Sequence, residues 1–283
     1  MKSLAFLSAD HLKDYVIDDD LAYLPLRNLG WEVKTISWRN DKVDWSQFEC
    51  AIIRSTWDYQ RDLPGFLVTM ADIAKATRLA NPIEIVRWNA EKTYLRELEN
   101  RGARVVPTIW KKAGADEAEI DLSFDEFETS HLVLKPTISA NAENTMRLTR
   151  GSTHDISMFA ARSYMVQPFM RGIVEEGEFS LFYFNREFSH AILKKPKPKD
   201  FRVQEEHGGT ILGIEPPPDL LAAGDRVMDL LDSSLLYARV DFVRDGDAFL
   251  LMELELIEPS LYLRMDENAP RRFARAIDQW PLR

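Results

Sequence analysis

The first third of the chain alternates apolar runs with segments of helical spacing. SLAFLS (3–8) predicts a strand, the leucines at 21, 24 and 29 predict a helix, and WEVKTISW (31–38), after Gly30, predicts a second strand. CAIIRSTWDY (50–59) repeats the theme as an apolar strand that turns polar at its C-terminal end, where open α/β sheets bind ligands. A helix from about Pro64 to Lys75 and a turn at Asn81-Pro82 complete this unit. The first strand continues as SADHLKD without a glycine-rich turn, so a dinucleotide-binding fingerprint is absent.

From Asn89 the pattern changes. NAEKTYLRELENRG predicts a helix with Asn89 as its N-cap and Gly102 as its stop. Strands are predicted at 105–110, 131–136, 164–170, 178–184 and 187–195, the last two joined through Asn185-Arg186 as a hairpin. A helix over 222–235 leads to strands at 237–243 and 248–257, joined through Asp245-Gly246-Asp247. KKPKPK (194–199) reads as an irregular loop because of its prolines. The expected organisation is an α/β chain with an open α/β domain over 1–88 and a second region over 89–283, itself two lobes at about 89–165 and 166–283.

Lys and Arg number 36 against 46 Asp and Glu, a formal charge of −10. With one short basic run, the chain lacks the clustered cations that displace counterions from nucleic acid or an anionic membrane. Small molecules or proteins are the expected partners. Hydrophobic residues make up 45%, enough for a full core. The single cysteine, Cys50, allows no intrachain disulfide and argues against a cysteine metal site. The apolar stretch near the start is about five residues, short of a signal-peptide core, and no run approaches the ~18 of a membrane span. A cytoplasmic location is expected.

Candidate chemistry concentrates in the last hairpin. Glu253 and Glu255 are two apart on a strand and share a face. A three-residue turn at 245–247 would pair Asp241 with Leu251 and Arg239 with Glu253, placing Arg239, Asp241, Glu253 and Glu255 on one side. Carboxylates so close repel unless a cation neutralises them, and Mg²⁺ suits a few carboxylates supplemented by phosphate oxygens and water. A solvated acidic sheet face would carry the same residues. A second, electropositive set comprises Lys92, Lys135, Lys194 and Arg202, each of which alone reads as an ordinary surface cation. At the polar end of the third strand, Arg54 with Ser55 could grip an amino-acid carboxylate, or Arg54 could simply pair with Asp58. No GxSxG elbow, HExxH helix or cysteine-histidine arrangement is present, which removes nucleophilic hydrolase and zinc-protease chemistry.

The order of these segments carries a resemblance. Lys92 leading into RVVPT, then VLKP (133–136), VQPFM with EGEFSL (166–181), KDFRVQEEHGG (199–209), ARVDFV and MELELIEPS together resemble the ATP-grasp ligases over about residues 89–265. DFRVQEEHGG is similar to a segment of the RimK-type amino-acid ligases. RVD paired with a strand E-x-E stands where D-alanine:D-alanine ligases have E-x-N. RSTWDY and ELELIEPSLYL resemble the branch that includes the cycloserine-forming synthetase.

The resemblance implies an ATP-grasp fold behind an N-terminal open α/β domain, with ATP and one or two Mg²⁺ ions as cofactors. It implies that Lys135 and Lys92 contact the ATP phosphates, that Gln167 with the backbone of Phe169 and Met170 reads adenine, and that Glu178 binds ribose. Lys194 would reach the phosphates, Arg202 and Arg239 would stabilise the acyl phosphate and tetrahedral intermediate, and Asp241, Glu253 and Glu255 would hold Mg²⁺. The implied activity is carboxylate–amine ligation through an acyl phosphate, with small amino-acid-like substrates, intermolecular or cyclising. A regulatory module without turnover and a small-molecule kinase are the alternatives. Two departures stand out. TISANAENT (137–145), where a glycine-rich phosphate-covering loop is usual, has no glycine, so Ser139, Asn141 and Thr145 would supply donors. Glu255 replaces the usual asparagine, which should favour two ions or raise a carboxylate pKa in their absence. A homodimer is the commonest assembly for such a chain.

Overall fold

The computed structural model of the chain describes residues 1–13, 15–140 and 142–280, and in it the apolar runs of the first third build a parallel sheet. Along the chain come β1 (Lys2–Ser8), α1 (Tyr23–Asn28), β2 (Trp31–Ser37), β3 (Cys50–Ser55), α2 (Leu63–Ala76) and β4 (Arg78–Ala80), with strand order β2-β1-β3-β4. β3 is buried along its whole length, as an interior parallel strand must be when both faces are covered, which is why its sequence runs apolar without alternation. β2 pairs with one side of β1 and β3 with the other, so the loops leaving β1 and β3 diverge and open a crevice at the carboxyl ends of the strands. Asp62 starts α2 by accepting the Gly65 N–H at 3.1 Å.

Two short helices, α3 (Ile83–Asn89) and α4 (Tyr94–Asn100), replace the single helix expected from Asn89. Asn89 is not an N-cap. It closes α3, and its amide donates to the Leu254 carbonyl and accepts from the Leu256 N–H, both at 2.8 Å, a pair of strand-edge bonds that claims the side chain. Gly102 ends the second helix with φ +101°, as expected of a C-terminal glycine.

The next sheet contains β5 (Ile109–Lys111), β6 (His131–Pro136), β7 (Met146–Thr149) and β8 (Tyr164–Pro168) in the antiparallel order β5-β8-β6-β7, covered by α5 (Glu117–Glu126). Only the end of the strand expected at 105–110 joins this ladder. Pro107 has no N–H to offer, and Val105 instead bridges Leu251.

After α6 (Gly172–Glu175) come β9 (Glu178–Phe184), β10 (Glu187–Lys195), β11 (Thr210–Ile214), α7 (Pro218–Asp229), β12 (Tyr237–Asp245) and β13 (Ala248–Glu255), with strand order β11-β10-β9-β12-β13. Asn185 and Arg186, at φ +50° and +70°, make the two-residue hairpin turn that the sequence predicts. α7 begins and ends earlier than expected and packs Leu220, Ala223 and Val227 against Leu181 and Tyr183 on one face of the sheet. The opposite face, through Phe182 and Phe184, shares a core with Leu4 and Phe6 of the first sheet, with Phe273 and Ile277 of a final helix, α8 (Ala269–Gln279), and with Trp280 just after it. Asn81 fastens the two sheets together: its amide donates to the Tyr237 and Leu256 carbonyls at 3.0 and 2.8 Å and accepts the Leu236 N–H. No helix of the described residues is long and apolar enough to cross a membrane.

Candidate active site

The hairpin of β12 and β13 corrects the expected register. Its turn has two residues, Gly246 and Asp247, so Arg244 pairs with Phe249 rather than Ala248. A bulge between Asp241 and Phe242 then shifts the ladder once more, setting Asp241 opposite Glu253 and Arg239 opposite Glu255. Two single shifts restore the parity that side-chain alternation demands, so the four charged residues do share one face. Ligand oxygens of Asp241, Glu253 and Glu255 lie within 4.8 Å of one another.

These acids are embedded in cations. Arg239 Nε lies 3.1 Å from both Asp241 carboxylate oxygens, and its Nη2 reaches Asp241 at 3.0 Å and also Glu255. Ser180 donates a hydrogen bond to Asp241 from the neighbouring strand. Lys92 Nζ sits 2.6 Å from Glu253 and donates to the Ser139 carbonyl. Lys194 Nζ lies 2.7 Å from Glu178, its direct partner across the β9–β10 ladder, and 3.6 Å from Asp241. Burial and Arg239 disfavour the Lys194 ammonium, but Asp241 and Glu178 outweigh them and keep it protonated. Burial would raise the Asp241 pKa, yet Arg239 and Lys194 hold it below the usual carboxylate range, and Lys92 does the same for Glu253. Glu255 goes the other way. Burial, with the negative charges of Glu253 and Asp241, pushes it up to about 7 despite Arg239. Lys135 has no ion-pair partner among the described residues, and burial lowers its pKa.

All of these charged side chains line one cleft, together with Gln167, Phe169, Met170 and Arg202. Gln167 is buried and donates to Thr108 Oγ1 at 2.9 Å, which fixes the orientation of its amide. The Phe169 N–H is committed to the His131 carbonyl at 2.9 Å, and its ring lies under the Arg147 guanidinium, 3.8 Å away. The Phe169 N–H is therefore committed within the protein. Arg202 is gripped by Asp200 at 2.9 Å and is partly exposed at the cleft edge. In the loop 137–145, Ser139 and Thr145 line the cleft, whereas Asn141 lies outside the described residues.

Arg54 and Ser55 are absent from the cleft lining. Arg54 is 1% exposed, pairs with Asp19 at 2.9 Å rather than with Asp58, and donates to the Pro259 carbonyl at 3.0 Å. Asp58 is taken by Trp38 and Arg39. Both residues stand on the covered strand itself, and the crevice is lined from the loops instead, by Tyr15, Val16, Trp57 and Tyr59. Glu258, also in the lining, was not among the residues expected there, although its position at an apolar-to-turn boundary before Pro259 is visible in the sequence.

A cleft between antiparallel sheets, walled by lysines and floored by a strand-borne acid cluster, is the arrangement of an ATP-grasp ligase. The model of the D-cycloserine synthetase DcsG N-terminal domain matches residues 4–81. The cycloserine biosynthesis protein DcsG of Streptomyces lavendulae is 31% identical over 270 residues, 89% of each chain. The crystal structure of D-cycloserine synthetase DcsG superposes with a TM-score of 0.86 at 27% identity over 99% of both chains. The D-alanine–D-alanine ligase of Bacillus anthracis superposes with a TM-score of 0.70 at 14% identity, covering 100% of this chain and 98% of that one, a likeness of fold. The chain belongs to the D-cycloserine synthetase family of ATP-grasp ligases. It is an ATP-dependent enzyme that forms carbon–nitrogen bonds.

Proposed function

We propose that the enzyme activates a small amino-acid-like carboxylate with ATP and closes an amide through an acyl phosphate. The observation that carries this reading is the convergence of Lys92, Lys135, Lys194 and Arg239 on Asp241, Glu253 and Glu255 within a single cleft. The substrate carboxylate oxygen attacks the γ-phosphorus, and the bond to the bridging oxygen breaks to release ADP. An amine nitrogen then attacks the acyl carbon, the carbon–oxygen bond to phosphate breaks, and the amine proton leaves with the departing phosphate. Lysines 92, 135 and 194 neutralise the polyphosphate, and Arg239 faces charge developing on the acyl phosphate. The all-oxygen donor set fits Mg²⁺, which Asp241, Glu253 and Glu255 would hold, with the third carboxylate favouring two ions. Bound there, Mg²⁺ supplies charge neutralisation on the transferred phosphoryl group.

The division of labour we assign gives residues 1–88 the substrate side and 89–283 the nucleotide. Similarity to a cycloserine biosynthesis protein favours cyclisation, because cycloserine is a ring closed by an amide. The test is product analysis with MgATP, hydroxylamine and amino-acid pools. ADP with a hydroxamate supports the acyl phosphate, whereas AMP overturns it. ADP formation with a phosphorylated product and no amine would make the chain a kinase, and ATP binding without consumption would make it a regulatory module.

A further inference from the structure

The cleft holds one acid that the metal and phosphate chemistry leaves unused. Glu258 is nine-tenths buried and lines the same cleft, beside Tyr15 and Trp57. Its backbone is held from both directions: Trp57 Nε1 donates to the Glu258 carbonyl at 2.9 Å, and Arg54 Nη2 donates to the next carbonyl, that of Pro259, at 3.0 Å. Among the described residues nothing donates a hydrogen bond to its carboxylate or forms an ion pair with it. The cations whose charge it feels, Lys92 and Arg239, are bound to Glu253 and to Asp241 with Glu255.

A fixed, buried and unpartnered carboxylate is costly unless a ligand completes it. Burial, reinforced by Glu255, raises its pKa well above the usual range, the signature of a carboxylate without a matching charge. A second anion would worsen this environment, and a cation would relieve it. The Tyr15 and Trp57 rings, 5.0 Å apart between centroids, line the same cleft, and aromatic rings of this kind attract cations. Glu253 and Glu255, the acids whose charge it feels, are already paired with Lys92 and Arg239.

We propose that Glu258, flanked by Trp57 and Tyr15, is the subsite for the substrate's ammonium group, so that the enzyme selects carboxylates that also carry a cationic amine. This rests on the ligase reading above and specifies its substrate class.

The test uses the full chain with MgADP and ligand-observed saturation-transfer NMR on two probes: a mixture of D- and L-amino acids, and the same mixture N-acetylated. The wild type is expected to give signals from the free amino acids and not from the acetylated ones, and Glu258→Gln to weaken binding about 10- to 100-fold. Equal binding of both mixtures by the wild type overturns the proposal without any variant, and so does binding of neither. Unchanged affinity in a folded Glu258→Gln protein overturns it as well. A parallel assay of ADP formation separates the two readings. ADP from acetylated acids alone keeps the ligase and discards the subsite, while amine-selective binding without ADP under any condition keeps the subsite and discards the ligase.

Discussion

Two buried arginines show how differently one kind of interaction is used in this molecule. Arg54, at the carboxyl end of β3, and Arg239, on β12, are 1% and 8% exposed, and each clasps an aspartate, Asp19 at 2.9 Å and Asp241 at 3.0 Å. Arg54 is sealed: Asp19 and the Pro259 carbonyl take its Nε and Nη2, its buried Nη1 has no hydrogen-bond partner among the described residues, and the rings of Tyr237 and Phe273 lie 5.4 and 5.6 Å away. Arg239 stands on a wall of the cleft, where Asp241 is shared with Lys194 and Ser180, and Glu255 and Glu253 crowd nearby. Burial and pairing alone therefore do not mark a catalytic arginine. The distinguishing feature is an acid cluster whose charge is incompletely matched and open to a ligand.

The largest expected effect tests the open side. Asp241→Asn should lower kcat/KM for ATP-dependent ADP formation by about 10³-fold, because the metal site and the orientation of Arg239 fail together. Arg54→Met tests the sealed side. It leaves buried Asp19 unpaired and should cost about 3–5 kcal/mol, lowering Tm by about 10 °C in calorimetry, while the folded fraction binds ATP as the wild type does. A normal Tm with weakened substrate binding would instead place Arg54 in the site and collapse the comparison.

A buried group without a matched charge should show the same logic through pH. His190 stacks on Phe182 at 4.3 Å, and its Nε2 lies 2.9 Å from the Leu261 carbonyl. Burial drives its pKa down to about 4 although that carbonyl favours the charged ring. Between about pH 6.5 and 4 the unfolded chain binds a proton that the folded chain refuses, so stability falls as pH falls, by up to about 3 kcal/mol. Urea titrations across that range should show this loss, and His190→Phe should flatten the part of the slope that His190 carries.

Much of the antiparallel half was legible because its signals are local. Strand alternation put Glu253 and Glu255 on one face, and parity survived an incorrect turn length because the bulge at Asp241 added a second shift. Asn185-Arg186 declared its hairpin through residues in contact along the chain. Arg54 was misread because a polar strand end looks the same whether its partner is a ligand or Asp19, 35 residues upstream. α8 went unpredicted for a related reason. Its apolar residues 273 and 277, with Trp280 just beyond, acquire meaning only against Leu4 and Phe6, at the other end of the chain. α5, half acidic with Ile120 and Phe124 turned inward, offered too little apolar periodicity to declare itself.

The smallest effect concerns Glu255, where the family resemblance leads one to expect asparagine. Without metal its carboxyl is pushed up to about 7, first by burial and then by Glu253 and Asp241, against the pull of Arg239. Mg²⁺ binding through this oxygen must displace the proton that is present below that pH. Apparent Mg²⁺ affinity should therefore weaken by up to about tenfold for each pH unit below 7 and level off above it. Calorimetric titrations in buffers of different ionisation enthalpy should register the released proton in the wild type. In Glu255→Asn that contribution should vanish and the pH profile should flatten, while an unaltered proton count would remove Glu255 from the metal site and leave Asp241 and Glu253 to hold the ion.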